Sequence, residues 1–233
     1  MKVNVLTLFP EMFPGFLGYS LAGRAMEKGL WTLNVTNIRD FAEDVHKTVD
    51  DVPFGGGAGM VMKVDVLDRA LASVYKDGPL YYMSPRGKTL TQKKVVELAE
   101  VPEMTIICGR FEGIDERIFD LYPIEEMSIG DFVLSGGEPA ALTMLDAILR
   151  YLPSVMGNRE SLSEESFSNG LLEYPQYTRP QEYRGQTVPD VLLSGHHQNV
   201  MNWRRAQSEM LTEQRRPDLW KIYQDSEKKE GLK

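Results

Sequence analysis

The chain has 233 residues, of which 42% are hydrophobic, enough to bury a sizeable core in one large domain or two smaller ones. Its formal net charge of −8 argues against a nonspecific nucleic-acid-binding protein. The only cysteine, Cys108, excludes an intramolecular disulfide and fits a reducing compartment. That cysteine and three scattered histidines give no metal-site spacing, and the short apolar run before Pro10 predicts neither a signal peptide nor a membrane helix.

Hydrophobic periodicity predicts strands that alternate with helices over most of the chain. Strands are predicted at 3–9, 31–38, 80–83 and 104–108, and a further strand begins at 126–129. Helical segments are predicted at 13–28, 64–75, 116–121 and 137–152, and another helix runs to residue 100 from a cap at Thr89 or Thr91. Within 13–28, Ser20 is predicted to cap a second helix and Gly29 to end it. This alternation predicts an α/β fold with a largely parallel sheet.

The composition changes after Pro153, which indicates a second domain. Residues 157–171 are polar and lack periodicity, so they are predicted to be a flexible linker. Residues 172–233 are rich in Tyr, Pro and Arg and then helical, which predicts a small helical domain. Residues 1–156 carry 15 Lys+Arg against 22 Asp+Glu, whereas residues 172–233 carry 10 against 9. A local basic face is therefore compatible with an acidic protein.

Three glycine-containing segments follow or interrupt predicted strands, at 82–87, 108–116 and 128–138. Glycine lacks a Cβ and lets backbone N–H and C=O groups approach a flat ligand. Because loops at the carboxyl ends of neighbouring parallel strands meet at one edge of a sheet, these segments predict a single ligand pocket.

Other motifs are open to two interpretations. The glycine run at 55–60 lacks the Gly-Lys-Ser/Thr of a phosphate loop, so it is either a surface loop or a lid over a ligand. Arg150 ends the helix at 137–152, where it either interacts with the helix dipole or points into a site. Glu164 and Glu165 are either solvated or deliver a general base on a loop. Cys108 is more typical of a buried residue than of a nucleophile.

Together these stretches closely resemble the bacterial tRNA (guanine-N1)-methyltransferase family, TrmD, of the SPOUT superfamily. The resemblance covers nearly the whole chain, and its order and spacing are specific. The matching segments are 8–13, 39–41, 48–51, 55–60, 84–87, 108–117, 128–138, 177–180 and 191–197.

The resemblance implies a SPOUT-type α/β fold with a trefoil knot, in a cytoplasmic homodimer whose active site is shared between subunits. It implies S-adenosylmethionine as methyl donor and tRNA with guanine at nucleotide 37, preceded by guanine at 36, as substrate. Periodicity predicts no knot, and the general rule against threaded chains predicts its absence.

The resemblance also assigns residue roles. Guanine N1 carries a proton at neutral pH, so a base must remove it while a cation stabilises the charge on O6. By resemblance, the base is Glu165, with the adjacent Glu164 as the alternative, and the cation is Arg150. The family base is normally aspartate. The residues implied for the cofactor are Tyr82, Met83, Ser84, Pro85, Gly109, Glu112, Ile129, Gly130, Asp131, Phe132, Val133, Leu134, Gly136 and Gly137, with no metal ligand.

The C-terminal domain is expected to bind the anticodon stem-loop. Candidate phosphate contacts are Arg179, Arg204, Arg205, Arg215 and Arg216, and Tyr177 or Trp203 are candidates for stacking. Three alternatives remain open from the residues: a nucleotide hydrolase, a non-enzymatic RNA-binding module, and a SPOUT methyltransferase that modifies ribose or ribosomal RNA. The absence of a phosphate-loop lysine argues against the first of them.

Overall fold

The computed structural model describes residues 1–156 and 164–230. The chain divides into two compact units, Met1–Gly157 and Asn158–Lys233. The predicted linker at 157–171 falls partly on residues 157–163, which lie outside the described residues.

The first unit is built around a five-stranded parallel sheet with the strand order β2-β1-β6-β5-β7. Its strands are β1 (Lys2–Thr7), β2 (Thr32–Asn37), β5 (Leu80–Thr89), β6 (Glu103–Cys108) and β7 (Ile124–Ser128), and β3 (Asp50–Asp51) and β4 (Val61–Met62) form a separate antiparallel pair. Its α-helices are α1 (Ser20–Glu27), α2 (Val64–Val74), α3 (Gln92–Ala99), α4 (Ile118–Leu121) and α5 (Glu138–Leu149), and 3-10 helices lie at Pro10–Met12, Gly15–Gly18 and Ile38–Phe41. This architecture confirms the predicted α/β class.

The sheet has a hydrophobic core on each face because successive side chains of a strand point to opposite sides. On one face, Val5 and Ile106 pack with apolar residues of α1, α3 and α5. On the other face, Leu6 and Ile107 pack with residues of α2. Helices on both faces are the usual way in which a parallel sheet buries its two apolar surfaces.

Two predicted elements differ from the structure. The strand predicted at 80–83 extends to Thr89, because the chain leaves the ladder after Met83 and rejoins β7 at Lys88. The segment predicted as helical from residue 13 is a 3-10 turn followed by α1, and no side chain caps α1; Ser20 has a φ of 54° at its start. The predicted cap at Thr91 is confirmed, since its Oγ1 accepts a hydrogen bond from Lys94 N at 3.3 Å.

The second unit is mainly helical. It contains a hairpin of β8 (Glu182–Tyr183) and β9 (Gln186–Thr187), followed by α6 (Asp190–Leu193), α7 (His197–Arg215) and α8 (Pro217–Glu230). The last helix has 14 residues. The hairpin is too short to leave an alternating pattern of the kind that predicts strands.

Candidate active site

A cavity of about 300 Å³ lies between the bulge of β5 and the carboxyl ends of β6 and β7. This is the edge at which open α/β sheets usually bind ligands. Thirteen of the residues predicted to hold the cofactor line it: Tyr82, Met83, Ser84, Pro85, Gly109, Glu112, Ile129, Gly130, Phe132, Val133, Leu134, Gly136 and Gly137. Asp131, also predicted, is exposed in the same loop and is not part of the lining.

The first wall is the bulge in β5. Ser84 is buried and its Oγ accepts a hydrogen bond from Arg86 N at 3.2 Å, which turns the chain away from β7. Gly87 allows the return, because a Cβ there would collide with the backbone of Glu126. Arg86 is held by ion pairs to Glu126 at 2.9 Å and Glu116 at 3.3 Å. Backbone groups of β5 are thus exposed at the cavity, and the strand continues to Thr89 beyond the bulge.

The second wall is the loop after β6. A Cβ on Gly109 would lie 2.6 Å from the ring of Tyr82, so glycine is needed for this close approach. Phe111 has a φ of 59°, a left-handed conformation that is strained for an aromatic residue. Glu112 N donates to Met60 O at 2.9 Å, which ties the end of the glycine run at 55–60 to this loop.

The third wall is the loop after β7. Ser128 Oγ accepts from Gly130 N at 3.2 Å and donates to Gly130 O at 3.0 Å, which closes a tight turn. Gly130 has a φ of 152°, and a Cβ there would lie 2.5 Å from the ring of Phe132. Phe132 and Val133 remain 54% and 83% exposed, so the loop offers apolar side chains to a ligand.

A buried ion pair lies beside the cavity. Arg110 Nε is 3.0 Å from Glu138 Oε2, in a geometry that is not that of a hydrogen bond. The other carboxylate oxygen of Glu138 accepts a 2.6 Å hydrogen bond from Thr7 Oγ1. Arg110 also donates to Ser135 O at 3.1 Å and lies over the ring of Phe9 at 4.3 Å. This network joins the loops after β6 and β7 to the end of β1.

Nine lining residues were not predicted from the sequence. They are Arg86, Arg110, Phe111, Gly113, Ile114, Met127, Ser128, Ser135 and Ala140. Most of them belong to segments already singled out for their glycines. Their position within those segments could have identified them, because a loop that surrounds a ligand places most of its consecutive residues against that ligand.

The two residues predicted to be catalytic belong to different units. Arg150 is the C-cap residue of α5 in the first unit and is partly buried. Glu165 is partly buried in the second unit, in a turn where its carbonyl oxygen accepts a hydrogen bond from Ser168 N at 3.2 Å. The adjacent Glu164 accepts a 2.6 Å hydrogen bond from the Tyr174 hydroxyl.

Several of the predicted RNA-contact residues make contacts within the second unit, among them Arg204, which lies 3.4 Å from Glu164. Arg205 is paired with Glu209 at 2.9 Å and Glu227 at 3.0 Å, and Arg216 with Asp218 at 2.6 Å, so these guanidinium groups already have partners in the unit. The rings of Tyr177 and Trp203 lie with their centroids 6.2 Å apart and bring two aromatic surfaces together.

Within residues 1–156 and 164–230, no group of three or more His, Cys, Asp or Glu side chains is arranged to hold a metal ion. No helix in the same ranges is long and apolar enough to span a membrane.

Comparison with known proteins identifies the family. A family model described as tRNA (Guanine-1)-methyltransferase TrmD matches residues 1–222. A protein of Rhodospirillum rubrum named tRNA (guanine-N(1)-)-methyltransferase is 59% identical over 224 residues, which cover 96% of this chain and 94% of that protein. A protein of the same name from Mesorhizobium japonicum is 61% identical over 221 residues, which cover 94% of this chain and 95% of that protein. Another from Bartonella tribocorum is 57% identical over 228 residues, which cover 98% of each chain. The chain therefore belongs to the tRNA (guanine-1)-methyltransferase TrmD family.

Proposed function

We propose that this protein transfers a methyl group from S-adenosylmethionine to N1 of guanine 37 in tRNA that carries guanine at position 36. The observation that carries the proposal is the cavity formed by three glycine-containing loops in a chain of this family. The proposal assigns methyl transfer to residues 1–156 and tRNA binding to residues 172–233, with 157–171 as the linker between them. Because tRNA is the substrate, we place the activity in the cytoplasm.

The chemistry of the cavity lining suits S-adenosylmethionine. Gly109, Gly130 and Gly137 let backbone groups face a flat adenine, since side chains at these positions would fill the space or strike neighbours. Met83 and Leu134 supply apolar contact, and Glu112 supplies a carboxylate for the amino group of the methionine part. When bound, the cofactor supplies a methyl group on a sulfonium, which is transferred by direct displacement.

The protein's part in the reaction is to prepare the guanine. Glu165 accepts the N1 proton and leaves a lone pair on that nitrogen for the methyl group. Arg150 stabilises the negative charge that moves to O6 as the proton leaves. No covalent enzyme intermediate is needed. Glutamate in place of the family's usual aspartate adds one methylene group to the reach of the base.

We propose a homodimer in which one copy supplies Arg150 to the cavity of the other. Gly137, which lines the cavity, precedes α5, and Arg150 follows it. The twelve residues of α5 separate them by about 18 Å along the helix axis, and this separation from the Gly137 side of its own cavity supports delivery of Arg150 to a second copy. We also propose that the segments that follow residues 80, 108 and 128 form the trefoil knot typical of SPOUT proteins; their convergence on one cavity supports this.

The test is methyl transfer from labelled S-adenosylmethionine to two tRNA transcripts, one with guanine at 36 and 37 and one with adenine at 37. The products are digested to nucleosides and identified by mass and retention. We expect N1-methylguanosine from the first transcript only. A ribose-methylated product, or cofactor binding without transfer to either transcript, would overturn the proposal.

A further inference from the structure

Glu164 is bound within its own unit by a tyrosine and an arginine. Its Oε2 accepts a hydrogen bond from the Tyr174 hydroxyl at 2.6 Å and lies 3.4 Å from Arg204 Nη1. The Arg204 guanidinium lies over the Tyr174 ring, 4.7 Å from its centroid. The three side chains therefore form a closed set of contacts, the Glu164 cluster, in which each one touches the other two.

The cluster closes a short loop onto α7. Phe167 N donates to Leu171 O at 2.8 Å, and Glu173 N donates to Ser166 Oγ at 3.0 Å. Leu172 N donates to Oγ1 of Thr212, a fully buried residue of α7, at 2.8 Å. The end of the loop is thus held to α7 by the hydrogen bond from Leu172 to Thr212. The start of the loop is held to α7 by the contact between Glu164 and Arg204. Glu165 is the next residue in this loop.

We propose that Glu164 is a positioning residue that fixes the start of the 164–174 loop, so that Glu165 is delivered as the base. This inference rests on the proposed function. The oxygen Oε2 of Glu164 accepts a short hydrogen bond from Tyr174 and a longer one from Arg204, and these two contacts hold its carboxylate within the unit. Arg204 is accordingly assigned to the loop and not to a tRNA phosphate.

The Tyr174 contact persists at neutral pH. Burial and the hydrogen bond to Glu164 raise the pKa of the Tyr174 hydroxyl above its ordinary value. A raised pKa keeps the proton on the hydroxyl, so Tyr174 remains a donor to the carboxylate under assay conditions.

The test compares Glu164→Gln, Glu165→Gln, Arg204→Met and Tyr174→Phe in single-turnover methyl transfer with saturating cofactor and tRNA. Loss of a general base lowers the rate by about 100-fold or more, so we expect that effect for Glu165→Gln. Loss of a contact in the cluster should lower it by about 10-fold. The combined effect of Glu164→Gln and Arg204→Met should be smaller than the product of the two single effects, because both variants remove the ion pair between Glu164 and Arg204.

The pH profile separates positioning from proton transfer. Glu164→Gln should be slower at every pH but keep the wild-type loss of rate at acidic pH, whereas Glu165→Gln should lose that dependence. The opposite pattern would make Glu164 the base and overturn the inference. Multiplicative effects of Glu164→Gln and Arg204→Met would also overturn it.

Amide hydrogen exchange tests the anchor without turnover. Peptides from 164–174 should exchange faster in Glu164→Gln, Arg204→Met and Tyr174→Phe than in the wild type, with little change in Glu165→Gln. Unchanged exchange in the first three would refute the anchor. A wild-type protein that makes no N1-methylguanosine would refute the proposed function instead, whatever the exchange shows.

Discussion

Arg110 and Glu138 form an ion pair with 3.0 Å between Nε and Oε2, and the Glu138 side chain is completely buried. The pair joins the loop after β6 to the first residue of α5, where a carboxylate also interacts favourably with the helix dipole. It fixes two of the three cavity walls relative to each other. The backbone groups that would contact a ligand are therefore already in place, which lowers the free-energy cost of ordering them on binding.

Removal of the Glu138 charge should destabilise the first unit. Glu138→Gln keeps an acceptor for Thr7 but leaves Arg110 without its counter-ion in a largely buried position. Breaking such a pair from one side costs about 3–5 kcal/mol, to be measured as the free energy of unfolding in urea. Asp131→Asn is the matched control, because Asp131 is exposed. A change below about 0.5 kcal/mol, as surface substitutions give, would show that the pair contributes little.

Substitution of Gly137 should abolish cofactor binding. Its Cβ would lie 2.8 Å from the Cα of Cys108, a backbone atom that cannot move aside as a side chain can. Gly137→Ala should push the start of α5 away from the loop after β6 and break the 3.0 Å hydrogen bond from Gly137 N to Gly109 O. We expect S-adenosylmethionine binding to fall below detection by calorimetry; a loss of affinity of less than about tenfold, or about 1.4 kcal/mol, would contradict this.

Gly18→Ala is the control for this experiment. A Cβ at Gly18 would meet only the Pro14 ring, at 3.3 Å, and φ there is not positive. Cofactor affinity should stay near that of the wild type. Equal losses in both variants would mean that the effect is general destabilisation and not exclusion from the cavity.

Cys108 should be unreactive in the folded protein. Burial, and then the nearby charge of Glu138, raise the pKa of its thiol well above the ordinary value. A raised pKa keeps the thiol protonated at pH 8, and the thiolate is the form that reacts with iodoacetamide. Mass spectrometry should show no alkylation of the native protein and one adduct after unfolding in urea. Rapid alkylation without denaturant would contradict the burial of Cys108.

Much of the fold was predictable from the sequence because its strands and helices follow their hydrophobic periods. The strand predicted at 104–108 and the helix at 64–75 agree with β6 and α2 to within a residue at each end. The convergence of the loops after β6 and β7 follows from the rule that parallel strands place their carboxyl ends on one edge. The resemblance to the family was confirmed by the family model, whereas the cofactor and the position of the guanine in the tRNA stay predictions from that resemblance.

The parts that could not be predicted depend on contacts between distant residues. Pro85 and Gly87 suggest the end of a strand, yet β5 pairs again with β7 from Lys88, where it lies opposite Met127. The ion pair of Arg110 with Glu138 spans 28 positions and has no period that a sequence pattern would show. The Glu164 cluster likewise depends on α7 folding back onto the 164–174 loop.

A complementation experiment should show that the active site is shared between subunits. Gly137→Ala should inactivate the cavity of its own chain, and Arg150→Ala should remove the cation that serves the partner's cavity. In a mixed dimer of the two, the intact cavity of the Arg150→Ala chain lies opposite the intact Arg150 of the other chain. One of its two sites is therefore complete, although each variant alone is inactive.

Co-expression of the two variants with different affinity tags allows the mixed dimer to be purified and assayed for N1-methylguanosine formation. Random assembly makes about half of the dimers mixed, so the unseparated mixture should have about a quarter of the wild-type rate. The purified mixed dimer should have about half of it. If Arg150 instead served its own chain's cavity, every site in the mixture would carry one defect, and neither preparation would exceed the single variants.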